Sequence, residues 1–374
     1  MTIQENLKYC SDKIEFYRGK PADIDRFDFI DKKVVRENLD KFICKGFLVK
    51  NIGHTSGTTG TPGKYYRDIK SMAMEQYFQN IYFDWDDKYI VVLRGEHFLS
   101  KVKEPRKIYK NIPFIKQMYV SSYHMNDITM EILVDKLSRI KKKCLWAYPS
   151  AAYILADYCK RKNKLLTFDI VATSSEMLLE NQITVIEDTF KCRIKDWYGQ
   201  GERVAAFYRC DYGHYHEVKG YSFVEYDKVE GNTYEVIGTT LNNRLMPLVR
   251  FRTGDLVEIS DSPCKCGDEG KNITAIIGRS NDYIELPGRK MTGTVLVMPF
   301  KNSRNILEAQ VIQKKDKSIV IKVVKNEKFS IEDEKLLYKE IYNFLPKDMC
   351  ELQFVNEIEK NSNGKFRFVI NESV

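Results

Sequence analysis

At 374 residues, with 43% hydrophobic and 30% charged side chains, the chain has an ordinary globular composition and enough length to bury a large core in at least two domains. Sixty basic against fifty-two acidic residues leave a formal charge of +8, which suits nucleotides, coenzyme A or an acidic carrier protein; the lysines are spread along the chain rather than striped, so no nucleic-acid partner is expected. The opening Met1-Thr2-Ile3-Gln4-Glu5-Asn6 lacks the apolar core of a signal peptide and the longest apolar runs are about five residues, as in Tyr89 to Leu93, so a cytoplasmic protein without membrane partners is expected.

In chain order, a helical lead-in to about residue 50 is followed by Thr55-Ser56-Gly57-Thr58-Thr59-Gly60-Thr61-Pro62-Gly63-Lys64. Glycines there let successive N–H groups turn toward an anion, hydroxyls add neutral donors and Lys64 adds a mobile charge, the makings of a polyphosphate cradle. It is not the loop GxxxxGK[ST]: the required first glycine falls on Thr58, and Tyr65 stands where a magnesium-binding hydroxyl belongs. Ile128, Ile132, Leu133, Leu137 and Ile140 then share a helical face, with Lys141-Lys142-Lys143 read as its solvated end, and Tyr148-Pro149-Ser150 starts another helix carrying Ala151, Ile154, Leu155 and Tyr158. Ile170 to Thr173 reads as a buried strand delivering Ser174, Ser175 and Glu176 to a loop, so the whole is expected to be α/β. From Asn281 the pattern becomes a small α+β unit: a strand over Ile319 to Val324, a Ser330/Asp333 capping pair, and a helix bearing Leu337, Ile341, Phe344 and Leu345. The domain boundary is placed near Arg279 to Asp282, giving a large domain 1–280 and a small domain 281–374.

Five further segments complete the pattern. Thr173-Ser174-Ser175-Glu176 and Asp196-Trp197-Tyr198-Gly199-Gln200-Gly201-Glu202 precede Phe251-Arg252-Thr253-Gly254-Asp255; Gly278-Arg279-Ser280-Asn281-Asp282 and Gly364-Lys365-Phe366-Arg367 follow. With the glycine- and threonine-rich stretch, these strings in this order resemble the adenylate-forming superfamily, which includes acyl-CoA synthetases, peptide-synthetase adenylation domains and luciferases. Thr239 to Arg250, the CxCG at Cys264 to Gly267, the strand Glu308 to Gln313 and Phe16-Tyr17-Arg18 narrow the likeness to its phenylacetate–CoA ligase and CapK-like branch.

The resemblance implies a large nucleotide- and acid-binding domain with a small mobile C-terminal domain, and ATP-dependent activation of a carboxylic acid through an acyl-adenylate. Thr55, Ser56, Gly57, Thr58, Thr59, Gly60 and Lys64 would hold the phosphates, with Thr59 and Glu202 on Mg2+. Ser175, Glu176, Trp197, Tyr198 and Gly199 would edge the adenine, Asp255 and Arg279 would fix the ribose, and Lys365 would bridge α-phosphate and substrate carboxylate. Trp146, Tyr148, Tyr153 and Ser174 would line the acid pocket, with a lean toward an aryl acid. The usual aspartate of the interdomain joint is Asn281 here, with Asp282 next, and the proline common before the terminal lysine is absent, Glu359 standing near its place.

Nine cysteines, an odd number, argue against a disulfide framework, and Cys10, Cys44, Cys144, Cys159, Cys192 and Cys350 read as buried small hydrophobes. Cys264 and Cys266, with Cys210 and a histidine from Cys210-Asp211-Tyr212-Gly213-His214-Tyr215-His216, form the ligand set of a closed structural Zn2+ site. The resemblance points to His216 rather than His214. His97 and His124 have no spaced partner and read as ordinary polar residues.

The acyl acceptor implied is a thiol, of coenzyme A or a phosphopantetheinyl carrier protein. A CapK-like enzyme passing its acyl group to an amine or hydroxyl is the alternative. A catalytically silent, zinc-stabilised nucleotide-binding protein is a third, against which Glu202, Asp255 and Lys365 stand together.

Overall fold

The computed structural model describes residues 1–47, 51–55, 63–95, 104, 107–279, 283–287, 289–292, 296, 298–301, 305–360 and 366–372. Ser56, Gly57, Thr58, Thr59 and Gly60, together with His97, Asn281, Asp282 and Lys365, lie outside the described residues; of His54, Thr55 and Arg279 only the backbone is described. The fold is α/β, and the chain divides into two packed units, residues 1–86 with 197–276 and residues 87–196 with 277–374. The second unit thus groups the C-terminal segment with a central one by packing, and the chain-order boundary near Arg279 to Asp282 is kept as a proposal.

In the first unit the lead-in forms the helices Ile3–Lys13, Lys32–Glu37 and Leu39–Phe42, the first begun by a reciprocal Thr2/Glu5 capping box. These helices and the turns between them bury Leu7, Tyr17, Phe27 and Phe42 against Val249 and Phe251. Antiparallel strands follow: Ser222–Glu230 pairs with Thr233–Thr240, which pairs with Phe251–Ser260. In that last pair Glu235 faces Leu256 and Ile237 faces Arg252, so Thr253, Gly254 and Asp255 oppose Val236 alone. The bulge requires the left-handed backbone of Gly254, φ +73°, and re-aims the strand locally.

In the second unit the strands Gln117–Ser121, Tyr89–Arg94, Lys143–Ala147 and Ile170–Ser174 run parallel in that spatial order. A parallel sheet covered on its faces favours near-continuous apolar strands, and Ile170–Ser174 is buried throughout. The helices Asp127–Ser138, Pro149–Arg161 and Glu180–Phe190 supply Leu133, Leu155 and Phe190 to its core. A second sheet, ordered Cys350–Phe354, Ile319–Lys325, Ile306–Gln313, Val369–Asn371, packs with the helix Ile331–Phe344, which starts at the expected Ser330/Asp333 capping box.

Two expectations need correction. The helix before Lys141 ends at Ser138, and Lys143 opens a buried strand: it is 3% exposed, its Nζ donating to the Ile140 carbonyl at 2.8 Å, so it is no solvated helix end. The β-forming run Cys144 to Ala147 draws it inward. Cys192 and Cys350 are half-buried, whereas Cys10, Cys44, Cys144 and Cys159 are buried. No helix among the described residues is long and apolar enough to cross a membrane.

Candidate functional site

Carboxyl ends of parallel strands are where α/β proteins gather their binding groups, because the loops diverge there. In the second unit this edge carries Arg94, Ser121, Ala147 and Ser174 as the last residues of their strands. Ser175 follows with φ +74°, a left-handed backbone unusual for a residue with a side chain, which reverses the chain and turns Glu176 inward. Glu176 Oε2 accepts from the Ser150 amide at 3.2 Å and Oε1 accepts from the Phe366 amide at 2.8 Å.

Ser150 is the second residue of the helix Pro149–Arg161, whose first residue has no N–H and whose N-cap Tyr148 makes no capping bond. Glu176 therefore supplies the cap from the loop after the strand Ile170–Ser174, its charge favourable at the positive end of the helix. Burial raises its pKa above the usual carboxyl range, opposed by the two amides and by Lys360.

Around it, Arg94 donates to Ser174 Oγ at 2.9 Å and Ser175 Oγ at 2.6 Å, while its guanidinium lies 4.6 Å from the Trp146 ring and 4.9 Å from the Tyr148 ring. Three of the expected pocket residues, Trp146, Tyr148 and Ser174, thus gather on one arginine. Tyr153 is placed differently: 7% exposed, its hydroxyl donates to the Ile306 carbonyl at 2.9 Å. Lys360 Nζ lies 3.7 Å from Glu308 Oε1 and donates to the Ser122 carbonyl at 3.4 Å. His124 does have a partner, its Nδ1 sharing a 2.7 Å hydrogen bond with Ser121 Oγ.

In the first unit the strands Asn51–Thr55 and Gly63–Arg67 pair antiparallel, Thr55 opposite Gly63, on either side of residues 56–62, and Lys64 is exposed. Asp255 sits in the bulge, where Tyr198 donates to its Oδ2 at 2.7 Å and its amide donates to Thr253 Oγ1 at 2.9 Å. Tyr198 is in turn held by Gln200 Nε2 at 2.6 Å and stacks on Phe207 with ring centroids 4.8 Å apart. Burial, then the neighbouring carboxylate, lifts the Tyr198 phenol well above its usual pKa. Trp197, on the opposite face of the strand, is 3% exposed among Tyr82, Phe83 and Tyr221. Gly199 lies under its indole; a Cβ there would stand 2.9 Å from Nε1.

Glu202 is buried, with Lys32 Nζ 3.6 Å from Oε1, and that oxygen makes no hydrogen bond among the described residues. A buried carboxylate oxygen without a hydrogen bond among the described residues is a fitting ligand for a hard divalent cation.

The other constellation of this unit is Cys210, His216, Cys264 and Cys266, whose ligand atoms all lie within 4.8 Å of one another. Cys210 Sγ and Cys264 Sγ are 3.7 Å apart, the edge expected of a tetrahedron with Zn–S bonds of about 2.3 Å. Cys266 Sγ is 3.2 Å from His216 Nε2, and His216 Nδ1 is 3.7 Å from Asp268 Oδ1, beyond hydrogen-bond distance, so a carboxylate stands behind the imidazole without bonding to it. Burial and the adjoining thiols push the Cys264 pKa up to about 11.

Arg94, Ser150, Glu308 and Lys360 were not evident as site residues from the sequence. An arginine closing the apolar run Tyr89 to Leu93 and a glutamate inside the strand Ile306–Gln313 were the available signals, since a charge in a buried strand needs a partner.

Residues 284–372 match the family model of the CapK C-terminal domain. Protein CapK of Staphylococcus aureus is 27% identical across 99% of this chain and 87% of its own length. A phenylacetate–coenzyme A ligase of Thermus thermophilus shares 36% identity over 59 residues, 16% of this chain and 13% of that protein. Among solved structures, 2-hydroxyisobutyryl-CoA ligase in the postadenylation state with 2-HIB-AMP matches with a TM-score of 0.74, 14% identity and coverage of 99% of this chain and 88% of that one. The same ligase in the thioesterification state, with 2-HIB-AMP and CoA, gives 0.59 at 15% identity and the same coverage. The chain is accordingly a CapK homologue, with a CapK C-terminal domain and the fold of the adenylate-forming CoA ligases.

Proposed function

We propose that the protein is an ATP-dependent ligase that activates a carboxylic acid as its acyl-adenylate and passes the acyl group to a thiol. The observation that carries the proposal is the hydrogen bond from the Phe366 amide to Glu176, because it ties the residue next to Lys365 to the strand edge that also holds Arg94, Trp146 and Ser174.

In the first step a carboxylate oxygen attacks the α-phosphorus of ATP and the bond to pyrophosphate breaks. No protein nucleophile is needed, so the chain's work is placement and charge neutralisation. Thr55 to Gly60 and Lys64 hold the β- and γ-phosphates. Asp255, fixed by Tyr198 and Thr253, accepts from the ribose hydroxyls, with Arg279 at the same end. Tyr198 lies against adenine, and Lys365 neutralises charge between α-phosphate and substrate carboxylate. Mg2+, when bound through Glu202 and Thr59, offsets phosphate charge. Zn2+ on Cys210, His216, Cys264 and Cys266 ties two turns together and takes no part in the reaction.

In the second step a thiol sulfur attacks the acyl carbon and AMP leaves. Coenzyme A and the pantetheine of a carrier protein share this chemistry, and a cytoplasmic enzyme would meet both. The full-length likeness to CapK favours a second reading of this step, with an amine or hydroxyl as acceptor. An acid-dependent ATP–pyrophosphate exchange screen over aryl, fatty and amino acids tests the first step, and AMP release with coenzyme A, holo-carrier protein or amino sugar separates the acceptors.

A further inference from the structure

The helix Ile69–Phe83 of the first unit is apolar on more than the side that joins the core. Phe78 and Phe83 are buried on its inner side, where Phe78 meets Tyr221 edge-on with ring centroids 5.5 Å apart. On the outer side Ile69, Ala73, Tyr77 and Ile81 recur at every fourth position and all are exposed: Ile69 57%, Tyr77 55% and Ile81 54%. Four-residue spacing makes them one continuous ridge, the kind that interdigitates with its like on another helix. The charges at the two ends run against the helix. Behind the N-cap Asp68 the first turn carries Lys70 and no acid, and the last turn carries no base before the C-cap Asp84; Lys70 and Asp84 are both exposed. A cation at the positive end of a helix dipole and an anion at its negative end are each unfavourable on a helix standing alone. A second helix laid antiparallel corrects both at once, because it brings its own acidic end to the basic end of the first.

We propose that this face is a two-fold interface between two copies of the chain. With the axis passing between Ala73 and Tyr77, Ile69 stands over Ile81 of the second copy and Ala73 over Tyr77 of the second copy, so the smallest side chain of the ridge receives the largest. Long helical side chains lean toward their own N-terminus, which in an antiparallel pair carries the Lys70 ammonium toward Asp84 of the second copy. Ridge and charge are thus complementary to themselves: a partner of other sequence would have to reproduce both, whereas a second copy supplies them by symmetry. One helix pair is a small interface, so the dimer is a reversible one with Kd on the order of 10 µM. None of these six residues belongs to the ligase site proposed above, so the dimer stands or falls separately from the acyl-adenylate chemistry.

Sedimentation velocity of the full chain from about 1 to about 200 µM tests this without any substrate. Wild type should pass from monomer to dimer over that range. Tyr77→Glu sets a charge without a partner at the centre of the face and should raise Kd at least about thirtyfold. Lys70→Glu sets like charges against each other at both ends and should raise it about fivefold. Lys70→Glu combined with Asp84→Lys exchanges the places of the two charges, and its dimer should be at least about threefold tighter than that of Lys70→Glu alone, a recovery that misfolding could not produce. A chain that stays monomeric at the highest concentration, a dimer indifferent to Tyr77→Glu, or a double variant no tighter than Lys70→Glu alone overturns the proposal.

Discussion

Tyr198, on the strand Ile194–Gly199, donates its hydroxyl proton at 2.7 Å to Oδ2 of Asp255, which sits in the bulge that Thr253, Gly254 and Asp255 make in the strand Phe251–Ser260. Phe207 stacked beneath and Gln200 bonded to the same hydroxyl leave the phenol one position to occupy. The carboxylate is thereby held in one orientation.

Tyr198→Phe removes the aiming bond and little else. A hydrogen bond to a charged acceptor contributes about 1.5–3 kcal/mol, so KM for ATP should rise about tenfold or more with a smaller change in kcat. Steady-state kinetics at saturating acid check this, and an unchanged KM would detach Tyr198 from nucleotide binding.

Cys264→Ser removes one of four candidate ligands whose donor atoms all lie within 4.8 Å of one another. Purified wild type should carry about one zinc per chain, and the variant much less, with Tm lowered by several degrees because metal binding to a structural site is linked to folding. Metal analysis and thermal unfolding measure both. Wild type free of zinc would leave the four residues as a thiol cluster only.

Gly238 has no room for a side chain: a Cβ would lie 2.1 Å from the Val204 carbonyl oxygen. Since the obstacle is backbone, Gly238→Ala must push the strand Thr233–Thr240 away from the loop at Val204 and should cost about 2–4 kcal/mol of stability. Urea unfolding reads this, and a variant within about 0.5 kcal/mol of wild type would mean that the close approach is not maintained in solution.

Burial holds the Glu308 pKa above its ordinary value, with Lys360 opposing and Glu176 adding to the rise. A carboxyl whose pKa is raised on folding binds its proton more tightly in the folded chain. Its contribution to stability is complete below the unfolded value of about 4.3 and is lost as pH climbs through the folded value. Relative to Glu308→Gln, wild type should therefore lose stability as pH is taken from about 4.5 to 8. Unfolding curves across that range test the sign, and a wild type that gains on the variant with rising pH contradicts it.

Much of the fold and part of the site were legible in the sequence. The strand Ile170–Ser174 and the Ser330/Asp333 cap follow from local rules, an apolar run and a capping pair, while the choice of His216 beside Cys210, Cys264 and Cys266 rests on the family resemblance. Lys143 misled because three consecutive lysines suggest solvent, while the apolar strand behind them decides the matter. Trp197 and Tyr198 are adjacent, and only the strand's alternation shows which ring joins the interior and which meets Asp255. The Glu176–Phe366 bond joins residues 190 positions apart, and no local pattern encodes it.

ATP–pyrophosphate exchange with wild type and Lys365→Ala, screened over aryl, fatty and amino acids, bears on the whole scheme. Exchange that requires one class of acid and falls at least a hundredfold in the variant is the outcome expected of an acid-activating ligase in which Lys365 neutralises the reacting charge. Full exchange in the variant would remove Lys365 from the chemistry, and absence of exchange with every acid would contradict adenylate formation itself.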